Sequence, residues 1–163
     1  MNKELQTLFE QDRADREGFA RFDQDQRQPM LLRDRARRQR VETLLASKPL
    51  LDAEDYFHAA MIFLHGETPE HFLQAHTLAY KGAKQGYSAC FSLMAAAYDR
   101  TLMFQGHPQK YGTQYIIQHG HWVLYEVDPT TTDAQRAQWN VPPLAQSLQR
   151  AEEMNQIICF ATI

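Results

Sequence analysis

The sequence predicts a mainly α-helical domain with tetratricopeptide-like helical hairpins and one appended β-hairpin. Three observations predict it. Between residues 52 and 106, three apolar stretches of helical length end at Gly66, Gly86 and Gly106. Over residues 114–127 the pattern changes to two β-rich runs around His119-Gly120. On either side, charged and apolar residues recur at spacings of three and four, the spacing of one helix face.

Each element has its own reason. A first helix over 2–20 sets Leu5, Leu8, Phe9 and Phe19 on one side. The stretch DQDQRQP interrupts it, and a second helix runs from about Leu31 to Ser47. Asp52 or Ala53 opens the third, AEDYFHAAMIFLHG, which Gly66 stops. Thr68 is an N-cap with Pro69 at the first helical position, so the fourth runs to Gly86. Ser88 caps the fifth, whose small residues Ala89, Ala95, Ala96 and Ala97 let another helix approach closely. After the hairpin, DPTTTDAQRAQWN reads as a turn with a short helix, and a last helix covers about 143–157 behind Pro142 and Pro143. The apolar end QIICFATI fits a short strand, a helix end or a docking tail. Gly66 and Gly106 lie 40 residues apart, but only about one and a half units are visible, which argues against a true repeat array.

At 163 residues the chain is expected to be one domain, 1–163, with an ordinary core. Its 44% hydrophobic and 23% charged residues are those of a globular protein. A net charge of -3 gives no overall attraction to nucleic acid or anionic membrane. Cys90 and Cys159 sit in apolar settings far apart, which suits buried thiols in a reducing compartment. The N-terminus shows no apolar signal core and no run approaches a membrane span. A cytoplasmic location is expected.

Several helices carry polar residues on the face that should be buried. Asp12 and Arg16 continue the stripe of Leu5 and Leu8, while Val41 and Leu45 project back to Arg38 and Asp34. His58 and His65 flank Met61 and Ile62; His76 aligns with Leu73 and Tyr80; Asp99 aligns with Ala95 and Met103. Inward charges must pair or face a wet cavity, so the helices have the makings of one shared polar cavity. Taken one pair at a time, Asp12–Arg16 and Asp34–Arg38 are more simply surface i,i+4 pairs. The run Arg33, Arg35, Arg37, Arg38, Arg40 reads as a solvated helix face rather than an RNA contact.

His58, His65, His76 and Asp99 are the residue types that ligate metals. Yet His58 and His65 are seven apart, about 10 Å along a helix, where zinc sites on one helix use a spacing of four. No metal and no cofactor is expected. A histidine acting as general base is the better chemical reading.

The stretch DRTLMFQGHPQKYGTQY concentrates polar groups. Asp99 and Arg100 are followed by Gln109, Lys110, Tyr111, Thr113 and Gln114, with Pro108 and Gly112 fixing the path. Together with LRDRARRQRV, AEDYFHAAMIFLHG, AHTLAYKGAKQGY and LYEVDPTTTDAQRAQWNVPPL, it resembles a bacterial family catalogued only as a domain of unknown function. The likeness covers nearly the whole chain. It implies a bacterial origin and a helical domain. It also implies that His58, His65, Gly66, His76, Asp99, Arg100, Gln109, Tyr111, Gly112, Thr113 and Gln114 are characteristic residues. No activity comes with it.

Two functional readings follow. In the first, a small polar molecule binds, with His58 or His65 as general base and Asp99 orienting it or holding a cationic group. Arg100 and Lys110 then bind carboxylate or phosphate, and His76, Gln109, Tyr111, Thr113 and Gln114 complete the pocket. In the second, helix pairs present a groove to a protein partner, and the polar residues lock the core and hairpin in place. A concave wet pocket beside His58, His65, Asp99 and Tyr111 favours the first; a dry core there favours the second.

Overall fold

In a computed structural model the described residues are 1–17, 24–47, 50 and 52–160. They form a mainly α-helical fold carrying one antiparallel β-hairpin. The helices are α1 (Lys3–Asp15), α2 (Gln24–Ser47), α3 (Ala53–Leu64), α4 (Pro69–Lys84) and α5 (Ala89–Phe104). The strands β1 (Tyr115–Gln118) and β2 (His121–Leu124) follow, then α6 (Asp133–Gln138) and α7 (Leu144–Phe160).

Punctuation sets the ends of the central helices. Thr68 accepts a hydrogen bond from His71 N–H and Pro69 follows it, as an N-cap and first position should. At the far end of α4, Tyr87 N–H returns to Gly82 O and Gly86 N–H to Ala83 O, with Gly86 at φ +89°. The same pair of bonds closes α5, where Gly106 sits at φ +76°. Gly82 lies against Cys90 and the start of α3, so α3, α4 and α5 pack as two successive antiparallel pairs. The main core lies among α1–α5 and includes Leu5, Val41, Ile62, Phe63, Leu78 and Leu93. Burying each such side chain contributes about 1.5–3 kcal/mol.

Two boundaries differ from the sequence expectation. The first helix ends at Asp15, because Arg16 N–H turns back to Arg13 O and the Arg16 side chain folds inward; Phe19 lies outside the described residues. The second helix begins at Gln24 rather than Leu31 and holds Pro29 inside it. Proline this near the start removes one ladder bond without ending the helix. Ser88 is the N-cap of α5, as expected, but its backbone is already in the helical region and its side chain makes no cap bond; its carbonyl accepts from Asn140 Nδ2 at 2.9 Å. Residues 157–160 of the apolar end continue α7, and 161–163 lie outside the described residues.

The hairpin pairs Tyr115 with Leu124 and Gln118 with His121. His119 (φ 51°) and Gly120 (φ 81°) make the two-residue turn, both left-handed, which matches the twist of the strands. Asn155 of α7 accepts from Trp122 N–H and donates to Trp122 O, tying the last helix to β2.

Candidate functional site

The loop after α5 is built around two buried side chains. Asp99 has no exposed surface. Its carboxylate accepts the backbone N–H of Lys110 (2.8 Å), Tyr111 (2.9 and 3.2 Å) and Thr113 (3.2 Å), and the Thr113 hydroxyl (2.8 Å). Burial raises the Asp99 pKa and these donors hold it back. Gln109 is equally buried. Its carbonyl oxygen accepts Thr113 and Gln114 N–H, and its amide donates to Gln114 O and Tyr125 O. Its backbone makes an isolated bridge to Val127, beyond the hairpin, through Glu126 O and Asp128 N–H. Gly112, at φ +83°, makes the turn that lets both side chains reach the same backbone.

Around this centre the remaining loop groups are also engaged. The Tyr111 ring packs on Trp139 and Tyr98, with Ala95 and Val141 beneath. Lys110 lies over the Tyr111 ring at 5.6 Å. Gln114 accepts from Arg100 Nε at 3.0 Å and donates to Thr113 Oγ1 at 2.9 Å. Arg100 also donates to Leu64 O at the end of α3 and faces the Phe72 ring at 5.8 Å. Burial brings its pKa down to about 10. Sequence reasoning missed Arg136, which is 2% exposed and donates to Tyr111 O (3.0 Å) and Thr131 O (2.8 Å). The only sequence signal was its i,i+3 spacing from Asp133, its ion-pair partner at 3.0 Å.

A second polar centre joins α1, α2, α3 and α5. Asp12 (1% exposed) pairs with Arg16 at 2.9 Å, and Asp34 (2%) pairs with Arg16 at 2.8 Å and Arg37 at 2.5 Å. Arg37 reaches Asp15 at 2.7 Å; Arg38 pairs with Glu67 at 3.1 Å and donates to His65 O at 3.0 Å. The expected surface pairs are therefore corrected. Asp12–Arg16 is an i,i+4 pair but a buried one, and Asp34 pairs with Arg16 and Arg37 rather than Arg38. Likewise the arginine run is not a uniform solvated face: Arg33, Arg35 and Arg40 are outside, while Arg37 and Arg38 are buried. The reason is tertiary. Carboxylates on α1 and α2 and the α3 end supply the partners that make burial tolerable.

The histidines occupy three different settings. His65 Nδ1 donates to Asp12 Oδ2 at 2.9 Å. His58, 5% exposed, stacks on Phe9 at 4.3 Å, with Nδ1 buried and unpartnered. His76 lies on the α4 side of a groove between α4 and α5. Burial lowers the pKa of all three. Among the described residues no three His, Cys, Asp or Glu side chains gather where they would hold a metal ion.

The α4–α5 groove is one open cavity among the described residues; another, of about 410 Å³, is lined by Leu45, Leu50, Tyr56, Gln74, Leu78 and Lys81, among others. The groove has a volume of about 360 Å³ and is lined by Pro69, Phe72, Leu73, His76, Tyr98 and Thr101, among others. Leu73 and Tyr98 line it, and each has an exposed apolar neighbour seven residues away on its own helix, Tyr80 on α4 and Phe91 on α5, the four being 66, 45, 47 and 38% exposed. Spacings of seven keep one helix face, so each helix presents an apolar stripe. Comparison of the chain with protein-family models, curated proteins and solved structures gives no match.

Proposed function

We propose that this chain is a protein-interaction module that takes an amphipathic helix of a partner protein in the α4–α5 groove. The observation that supports it is the pair of exposed apolar stripes, Leu73–Tyr80 and Phe91–Tyr98, beside an open cavity. The nature of the occupant follows from packing. On one side, α3 packs against both α4 and α5. The same two helices leave their other groove open, and another helix is the shape that fits it. His76 adds a neutral polar handle in a mainly apolar lining.

The polar residues then hold the scaffold. Asp99, Gln109, Thr113 and Gln114 spend their hydrogen bonds on the loop's own backbone and on each other, and Arg100 ties the loop to α3. A small polar ligand with His58 or His65 as base has less support, since His58 and Asp99 are buried and both Asp99 oxygens are taken up by the loop's own donors. A cytoplasmic bacterial setting belongs to the proposal; the free, buried Cys90 thiol is consistent with it.

Site-specific photo-crosslinking tests this reading. A photoreactive residue placed at position 73 or 98 should capture one discrete partner in cells, and one placed at exposed Glu152 should not. Leu73→Glu should abolish capture from position 98 while leaving the melting temperature unchanged. Capture that survives Leu73→Glu would sink the proposal, and so would none at either groove position.

A further inference from the structure

The seat of α1 on α3 contains two histidines whose positions have a consequence of their own. The helices run in the same direction. Asn2 N–H binds the Asp55 carboxylate at 2.8 and 3.0 Å, the Phe9 ring stacks on His58, and Asp12 takes the His65 Nδ1–H. Leu5 fills the core between them with no exposed surface. Thus His58 of α3 and His65 at its C-cap, seven residues apart, are both spent on α1.

We propose that α1 is an acid-released arm: it docks on α3 while His58 and His65 are neutral and leaves when both are protonated. At His58 a second proton would sit on buried Nδ1, which has no partner. The acidic groups around it are Glu54 on α3, 3.9 Å away and half-exposed, Asp55, already held by Asn2 N–H, and Glu10 on α1. Stacking on Phe9 favours the cation, but burial weighs more. Around His65 the cations are Arg16 at the end of α1, Arg37 and Arg38 on α2 and Arg100 on α5; the anions are Asp12, Asp34 and Glu67. Asp12, its direct partner, is already shared with Arg16 and Arg37, so a further positive charge gains little.

The sign follows from linkage. Burial holds both imidazoles below their ordinary value in the docked state. The docked state then binds fewer protons than the released one. Its stabilisation is complete above an ordinary histidine pKa of about 6.5 and is lost as pH falls through the depressed values.

Hydrogen exchange of the full chain at pH 7.5 and pH 5.0, corrected for intrinsic rates, tests this. Amides of residues 4–15 should open about tenfold more often, or more, at pH 5.0 than at pH 7.5, the direction that linkage to depressed histidines requires. Those of α5 and the hairpin should hold. The double variant His58→Phe, His65→Gln keeps the stack and a donor for Asp12 and should lose the response. An unchanged response in it would assign the effect to carboxylates and overturn the proposal, as would opening of all helices together. Histidine titration of the wild type by NMR supplies a readout without substitution. Ordinary titration of His58 and His65 would also overturn it.

Discussion

Both carboxylate oxygens of Asp99 bind the backbone N–H of Tyr111, at 2.9 and 3.2 Å. With Lys110 and Thr113 also donating, this one side chain shapes the turn from α5 into the hairpin. Asp99→Ala should leave these donors without an acceptor and cost about 3 kcal/mol or more. Asp99→Asn should also destabilise, because its NH₂ would face N–H groups. Urea unfolding followed by circular dichroism measures both.

Gln109 uses both ends of its amide, two acceptor bonds and two donor bonds, with no exposed surface. Gln109→Ala should lower the melting temperature by several degrees, from a loss of about 2–3 kcal/mol at about 2–4 °C each. Gln109→Glu should be worse, since a carboxylate would meet the carbonyls of Gln114 and Tyr125. Gln118→Ala, on the exposed end of β1, should change stability by less than about 0.5 kcal/mol.

Gly82 lies inside α4, where helix propensity alone favours alanine by about 1 kcal/mol. The structure reverses that sign. A Cβ there would stand 2.6 Å from Cys90 Sγ and 3.0 Å from Ala53 O. Gly82→Ala should therefore destabilise, by about 1–3 kcal/mol. The same packing covers Cys90, whose thiol pKa burial raises to about 11. Mass spectrometry of the peptide carrying Cys90 should show no alkylation of the native protein at pH 8 and full alkylation in denaturant.

Asp34 is the shared anion of Arg16 and Arg37. Asp34→Ala should cost about 2–3 kcal/mol, because it removes the charged acceptor that two guanidiniums share, although Asp12 still pairs with Arg16 and Asp15 with Arg37. Arg33→Ala, which breaks an exposed pair with Asp15, should cost no more than about 1 kcal/mol. Similar losses for the two variants would show that the network behaves as surface charge. Chemical denaturation of both distinguishes the outcomes.

The hairpin turn holds a non-glycine residue, His119, at φ 51°. Asparagine adopts that conformation more readily ahead of glycine, so His119→Asn should stabilise by about 0.5 kcal/mol. Gly120→Ala, at φ 81°, should destabilise by about 1 kcal/mol. Thermal melting of the two variants should move in opposite directions.

The sequence by itself determined the helical class, the central helices and the hairpin. These rest on local physics: Thr68-Pro69 starts a helix wherever it lies, Gly86 and Gly106 accept the left-handed step that ends one, and His119-Gly120 fits a tight turn. Local reasoning failed where a distant group acts. The Arg16 side chain, drawn inward, ends α1 early, and Asn140, 52 residues away, takes the Ser88 carbonyl. The polar residues that read as a site were legible as unusual, but their roles were not. Whether Asp99 meets a ligand or its own loop depends on where the chain returns after Gly106. Whether Asp34 meets water or two arginines depends on how α1 crosses α2. The groove was hidden for the same reason: Leu73, Tyr80, Phe91 and Tyr98 look like core residues in sequence, and only the packing of α3 on the opposite side leaves them exposed. Backbone conformation is decided by neighbours in sequence, whereas burial and pairing are decided by neighbours in space.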